Sequence, residues 1–346
     1  MAEPIRINLA LQGGGAHGAF TWGVLDRLLD EEEIEIAAIS GTSAGALNGA
    51  AFKAGMVAGG REGARENLAW LWGQVGAQGD LRLTHWLAAV SPAPGLVSQA
   101  LEYSLPFSLL ETASRITSPY ALGPFYFNSL ERITRQFRFD RVCAGEGPAL
   151  FVSATNVRTG KIRVFEGDEI TSDALLASAC LPTLFQAVEF VDPKTKKMEA
   201  FWDGGYAGNP ALFPLFPPEF PDDIVIVNIN PLLRDEVPMT PQDILNRINE
   251  VSFNSSLLRE LRAIEFVRRL IREGKITEGA MKNVLIHMIA DDDLMTSLSV
   301  ATKMVPAPLL LGQLQAAGRA AAERFLDESI GKLGKEPSVN LTEMFG

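Results

Sequence analysis

Two glycine-rich turns, each set between an apolar strand-like run and a helix-like run, constrain this chain more than any other feature. Ile5 to Leu11 (IRINLAL) reads as a buried strand and leads into Gly13-Gly14-Gly15. Phe20, Val24, Leu25 and Leu28 then recur at helical spacing. Ile34 to Ile39 (IEIAAI) is a second strand, and it leads into Gly41-Thr42-Ser43-Ala44-Gly45 and a helix of small residues, Ala44 to Ala58. A β-α-β-α opening of this kind predicts an α/β fold, a mostly parallel central sheet with helices on both faces. Later runs continue it. Paired strands are expected at Pro148–Val157 and Lys161–Phe165, a helix at Ser172–Ala179, and strands at Gln186–Val191 and Met198–Trp202. Ile224–Ile229 and Val284–Ile289 are short, heavily apolar runs, as expected of inner strands. A long helix between them opens at Thr240-Pro241 and closes near Gly274, and a last one spans Gly312 to Leu326.

Composition narrows the function. At 346 residues, 47% hydrophobic and 21% charged, the chain is long enough for a sizeable core and too apolar for disorder. A net charge of −11 argues against a nucleic-acid partner, which would require clustered Lys and Arg. Two cysteines, Cys143 and Cys180, make no disulfide framework, and MAEPIRINLA lacks the features of a signal peptide. A cytoplasmic location is expected, with peripheral contact to a membrane left open. The three histidines, at 17, 85 and 287, are not at metal-ligand spacing, and no metal is expected.

The chemistry sits in the turns. G-x-S-x-G between strand and helix suits a serine held on a very sharp turn, where the glycines two residues either side, Gly41 and Gly45, permit close backbone approach. The turn would place the Ser43 hydroxyl at the carboxyl edge of the sheet, near the positive end of the next helix. Gly13-Gly14-Gly15-Ala16-His17-Gly18 presents unobstructed backbone N–H groups at a helix start, fit for an oxyanion or a phosphate. Read literally it is also G-x-G-x-x-G, the loop of a nucleotide-binding oxidoreductase. That reading expects an acidic residue closing the second strand, whereas Asp30 to Glu33 precede the strand and its end runs into Ser40-Gly41-Thr42-Ser43. Asp203-Gly204-Gly205 ends a later strand and is sterically open, although Asp-Gly pairs are also common turn formers.

Together, GGGAHG, GTSAG and DGG stand in the order found in the patatin-like phospholipase family, which the chain resembles over roughly residues 5 to 230. Ala177 to Pro182, Phe185, Val188 and Asn209-Pro210 are similar as well. The resemblance implies a three-layer α/β/α patatin-type fold and a serine acyl hydrolase that cleaves carboxylic esters of lipids, with a lipid or acyl-ester substrate and no cofactor. It implies Ser43 as nucleophile and Asp203 as its base, a dyad without histidine. The amides of Gly13, Gly14 and Gly15 would form the oxyanion hole, with His17 and Ala44 as accessory groups. His17 is a departure, since many members of that family carry Arg or Lys there. A rival α/β-hydrolase triad, Ser43-Asp203-His287, follows a known chain order, but His287 lies in VLIHMI, the setting of a core histidine. A non-catalytic lipid-binding or scaffold protein is a third reading.

One catalytic domain over residues 1–330 and a polar tail over 331–346 are expected. Between Leu83 and Leu130 only Glu102, Glu111 and Arg115 are charged, and residues 80–130 are read as an apolar cap or lid, or an irregular subdomain packed on the sheet. Asn128 and Glu131 predict a capping box. The basic stretch Arg259 to Lys275 reads as a solvated face, or as a basic amphipathic helix resting on anionic lipid, and Asp291-Asp292-Asp293 as a loop after a strand.

Overall fold

Short apolar runs supply the strands: β1 (Ile5–Leu11), β2 (Ile34–Thr42), β3 (Ala149–Asn156), β4 (Ile162–Glu166), β5 (Val188–Val191), β6 (Met198–Asp203), β7 (Asp223–Val227) and β8 (Leu285–Ile289). The computed structural model describes residues 4–78, 118–277 and 279–345. Within them the strands form one sheet in the order β5-β6-β3-β2-β1-β7-β8, with β4 paired to β3. Strands β3, β2, β1, β7 and β8 are mutually parallel, and β4, β5 and β6 add antiparallel pairs at one side.

Five helices cover the faces: α1 (Gly18–Leu28), α2 (Ala44–Gln78), α3 (Ser172–Ser178), α4 (Pro241–Arg272) and α5 (Pro308–Ser329). Alternation along the strands sorts the side chains between two cores. Ile7, Leu9 and Leu11 pack with Phe20, Val24, Leu310 and Leu314 on the side of α1, α2 and α5. Ala10, Ile224 and Ile226 face Leu257, Leu261 and Ile264 of α4. Each fully buried Leu or Ile contributes roughly 2 kcal/mol of transfer free energy, so both layers are held mainly by burial.

The helix after β2 runs past the predicted Ala58 to Gln78, with a break in helical geometry at Gly59 and Gly60. Beyond the break it is tied to its neighbours by charge. Arg65 of α2 and Arg319 of α5 both pair with Asp26 and Asp30 at the end of α1, each reaching Asp30 at 2.8 Å. Two sequence expectations change here. Asn128 Oδ1 accepts from Leu130 N at 3.0 Å and does not cap Glu131, whose amide instead donates to the Asn128 carbonyl at 3.2 Å. The segment after residue 330 is not a free polar tail. Leu333 and Leu341 are buried, Val339 N donates to Ile286 O at 3.2 Å, and Arg262 of α4 lies over the Phe345 ring. Its apolar residues, few among polar neighbours, are what dock it.

Most of the cap expected at 80–130 lies outside the described residues. Its end, residues 118–130, is described: the Tyr126 and Tyr120 hydroxyls accept from the amides of Gln186 and Ala187 at 3.1 and 3.0 Å.

The order of the strands decides where a ligand fits. The chain runs from β1 to β2 to β3 on one side, then returns with β7 on the other side of β1. Connections therefore diverge above β1, and in open α/β sheets that divergence leaves a crevice at the carboxyl ends of the strands.

Candidate active site

Both glycine-rich turns open into this crevice. Ser43 leaves β2 with φ of 55°, left-handed backbone that a residue with a side chain rarely adopts and that costs on the order of 1–3 kcal/mol. Its surroundings hold it there. Ser43 N donates to Ser178 Oγ at 2.9 Å, and Ser178 Oγ donates to Ser153 O at 2.7 Å. Just before the turn, Thr42 Oγ1 donates to Gly208 O at 2.7 Å. The glycines of G-x-S-x-G have the expected steric cause. A methyl at Gly41 would lie 2.7 Å from the backbone of Gly45, and one at Gly45 would run into the Leu11 carbonyl.

Strand register brings Asp203 to Ser43. Along β3, Ser153 pairs with Thr42 of β2, and the next residue, Ala154, pairs with Asp203 of β6. Residues Phe151 to Thr155 give their other edge to β4. β2 and β6 thus meet end to end on one edge of β3, and the residues at the junction are Ser43 and Asp203. Asp203 N donates to Cys180 O at 2.8 Å and Thr155 Oγ1 donates to Asp203 O at 2.8 Å, which fixes its backbone.

The Asp203 carboxylate is buried. Its Oδ1 accepts from Gly205 N at 2.7 Å, while Oδ2 has no hydrogen-bond partner among the described residues. Burial pushes its pKa up to about 7, opposed by the Gly205 amide and by the Ser43 hydroxyl beside it. Burial likewise raises the Tyr206 phenol and the Cys180 thiol to about 12, so neither is ionised near neutrality.

The first glycine loop folds against the serine. A methyl on Gly13 would meet Ser43 Cβ at 2.6 Å. Its three amides are not equivalent, contrary to expectation: Gly13 N is taken by Asn209 Oδ1 at 2.6 Å and is not free for an oxyanion. The Asn209 amide also returns to Gly13 O at 3.3 Å, so this pair sets the loop's position. Gly14 and Gly15 donate to no group among the described residues, and Ala44 opens α2. Gly14, Gly15 and Ala44 line the cavities that Ser43 borders.

Among the described residues, Ser43 lines two cavities. The larger, of about 270 Å³, is walled by apolar groups including Leu47, Trp72, Leu130, Leu184 and Phe185. The smaller, of about 130 Å³, holds Asp203, Tyr206, Asn230 and Phe253. Gly15 and Lys303 border both.

His17 is buried beside the loop and Thr302 explains its state. The Thr302 hydroxyl donates to Ser299 O at 2.6 Å, so it accepts from His17 Nε2 at 2.8 Å, which places the proton on Nε2. Burial, and Lys303 next, hold His17 well below its ordinary pKa, so it brings no positive charge to the loop. His287 does not join Ser43 and Asp203. Its Nε2 lies 2.9 Å from Asp223 Oδ1 and its Nδ1 3.2 Å from Ser338 Oγ, in the middle of β8. The rival triad is not assembled. Nor does β2 close on an acidic residue; it ends at Thr42, whose hydroxyl is used on Gly208 O.

Three residues of the site carried no motif, Gln12, Asn230 and Lys303, and a fourth, Asn209, stood only in the Asn209-Pro210 pair after the aspartate. Gln12 Oε1 accepts from the amides of Ile229 and Asn230 at 2.8 and 3.0 Å, stitching β1 to the loop after β7. Asn230 Nδ2 donates to Gly13 O at 2.9 Å across 217 positions of sequence. Only Asn209 had a local signal, its place before Pro210 shortly after the aspartate.

Among the described residues no helix is long and apolar enough to cross a membrane. No curated protein sequence matches the chain. Among solved structures it is similar to VipD from Legionella pneumophila, at 16% identity over 94% of this chain and 67% of that one, with a TM-score of 0.43. It is also similar to the type III effector protein ExoU, at 17% identity over 94% of this chain and 54% of that one, with a TM-score of 0.35. The chain thus spans about two thirds of the first and about half of the second. The sequence model described as Patatin-like phospholipase matches residues 9–216, more than half of the chain. This protein belongs to the patatin-like phospholipase family, a family of carboxylic ester hydrolases that act on lipids.

Proposed function

We propose that the protein is a serine acyl hydrolase for lipid esters, working through a Ser43–Asp203 dyad. The observation that carries this reading is the junction of β2 and β6 on one edge of β3, which sets Ser43 beside a buried aspartate with one oxygen unpartnered among the described residues. Ser43 Oγ attacks the ester carbonyl, and Asp203 Oδ2 takes the hydroxyl proton and returns it to the leaving alcohol. Water then attacks the acyl-serine with Asp203 again as base, and the acid is released.

An ordinary aspartate is too weak a base for this at neutral pH. The burial that pushes Asp203 up to about 7 corrects that, because a base titrating near the working pH is both ionised and basic. The amides of Gly14, Gly15 and Ala44 receive the oxyanion, aided by the positive end of α2. The acyl chain takes the larger, apolar cavity, to which Leu130 at the end of the expected cap contributes.

A fluorophosphonate probe tests this directly. The wild type is expected to label, while Ser43→Ala does not label and Asp203→Ala labels at least about a hundredfold more slowly. Labelling that persists in Ser43→Ala, or a wild type that never labels between pH 6 and 9, would overturn the dyad.

A further inference from the structure

Lys303 is the only basic side chain bordering the two cavities beside Ser43 among the described residues. It stands on the short helix Val300–Met304, beyond the 9–216 stretch that matches the family. Its position relative to the loop is fixed by contact: Gly15 has φ of +59°, and any Cβ there would strike the Lys303 carbonyl. Its Nζ donates to Asn230 Oδ1 at 2.8 Å. Asn230 is itself oriented, because its Nδ2 donates to Gly13 O at 2.9 Å and Gln12 Oε1 at 3.1 Å, which turns its oxygen toward the lysine.

This ammonium group is held without being neutralised. No ion pair to Lys303 occurs among the described residues, and the nearby Glu250 is already paired with Arg234 at 2.6 Å and Arg247 at 3.2 Å. An ammonium has three donors, and among the described residues one neutral acceptor, Asn230, uses one of them. A partly desolvated cation with spare donors at the wall of a cavity attracts an anion, and charge-assisted bonds are the strong ones. With the ester carbonyl at Ser43 and the acyl chain in the larger cavity, the remainder of the substrate lies on the Asn230–Lys303 side.

We propose that Lys303 forms an anion subsite beside the dyad, which takes a phosphate oxygen of the substrate head group and makes acyl esters of anionic glycerophosphates the favoured class. The inference rests on the acyl-hydrolase reading and deepens it by naming the group that selects the substrate.

The test compares kcat/KM on a 1-acylglycerol 3-phosphate with that on the uncharged 1-acylglycerol of the same chain, in wild type, Lys303→Met and Lys303→Arg. The ratio of the two is expected to fall about tenfold or more in Lys303→Met and to stay within about threefold in Lys303→Arg, as befits loss or retention of a charged hydrogen bond. Equal losses on both substrates would overturn the subsite, since they would make Lys303 a support of the oxyanion loop alone. An unchanged ratio would overturn it too. Inorganic phosphate should slow fluorophosphonate labelling of the wild type more than that of Lys303→Met. Protection by phosphate without a change in the substrate ratio would mean a site for free phosphate only, against the head-group assignment. Fluorophosphonate labelling of the wild type reports the hydrolase reading separately, so its failure is distinguishable from failure of the subsite. Labelling of Lys303→Arg shows in the same experiment that substitution at this position leaves a folded site.

Discussion

Two clusters of serine and aspartate lie at opposite ends of this sheet, and they are built to opposite ends. At the amino end, Asp223 Oδ1 accepts from His287 Nε2 at 2.9 Å and Gly334 N at 2.9 Å, and His287 Nδ1 meets Ser338 Oγ at 3.2 Å. That cluster contains the three residue types of a hydrolase triad, yet its hydrogen bonds are closed and it fastens the C-terminal segment to the sheet. At the carboxyl end, Ser43 holds left-handed backbone, one Asp203 oxygen has no partner among the described residues, and both face cavities. Unsatisfied and strained groups cost stability, and folds keep them where chemistry uses them. Residue types alone do not separate the two ends; the incomplete bonding at the carboxyl end does.

Activity breaks the comparison most sharply. Ser43→Ala is expected to reduce kcat/KM on an acyl ester by about 10⁴-fold or more and Asp203→Ala by about 10³-fold, with circular dichroism unchanged. His287→Ala and Ser338→Ala are expected to keep kcat/KM within about threefold of wild type once unfolded protein is discounted. A loss in folded His287→Ala comparable to that in Ser43→Ala would restore the histidine triad and end the dyad reading.

Stability should reverse the ranking. Asp203 titrates near 7 in the folded chain against 3.8 for an ordinary aspartate, so between those values the native state holds a proton that the unfolded state has released. Its contribution to stability is therefore fully present below about pH 4 and lost as pH rises through 7. The penalty at neutral pH is at most on the order of 4 kcal/mol. Asp203→Asn removes it and is expected to raise Tm at pH 8 by a few degrees, with little change at pH 4. His287→Ala strips a buried carboxylate of a partner and should cost about 2–4 kcal/mol in urea unfolding. A neutral or stabilising His287→Ala would show that the amino-end cluster is not the fastening it resembles.

The two clusters also differ in how far a linear reading reaches them. The strands were legible because short, apolar-rich runs such as IRINLAL and IVIVNI leave few alternatives, and the Ser43 turn because Gly41 and Gly45 answer a steric demand local to five residues. Asp203 was legible only in company with the other two motifs. Asn230 and Lys303 were not, since their roles arise when β7 returns beside β1 and no neighbour in sequence records that. The Gly13 amide was misassigned for a similar reason: its partner Asn209 lies 196 positions away. The docked tail escaped notice because Leu333 and Leu341 are isolated among polar residues, with no period to reveal them.

The pH profile sharpens the comparison further. Because Asp203 must be ionised to act as base, kcat/KM on an uncharged ester should rise with pH through about 7 and then level. Burial sets Lys303 at about 8, so it is charged below that value and neutral above it. The advantage of an anionic ester over an uncharged one should accordingly shrink as pH passes 8. Tyr206 and Cys180 titrate too high to intrude on either limb. A rate on the uncharged ester that is flat from pH 5 to 8 would remove Asp203 from the role of base.

His17 should give the smallest effect, and the most exacting one. It sits next to the oxyanion loop, where a charged side chain would be expected to tune the rate and add its own limb to the profile. Its surroundings forbid that charge: the ring is buried, Lys303 opposes a second cation, and Nε2 is already the donor to Thr302. A glutamine amide can make the same donation to Thr302 without titrating at all. His17→Gln is thus expected to lose no more than a few-fold in kcat/KM, through small displacements of the loop, with the pH midpoint unmoved. A shift of that midpoint would mean that His17 carries a proton during turnover, and the positive charge beside the oxyanion loop would then have to be shared between His17 and Lys303.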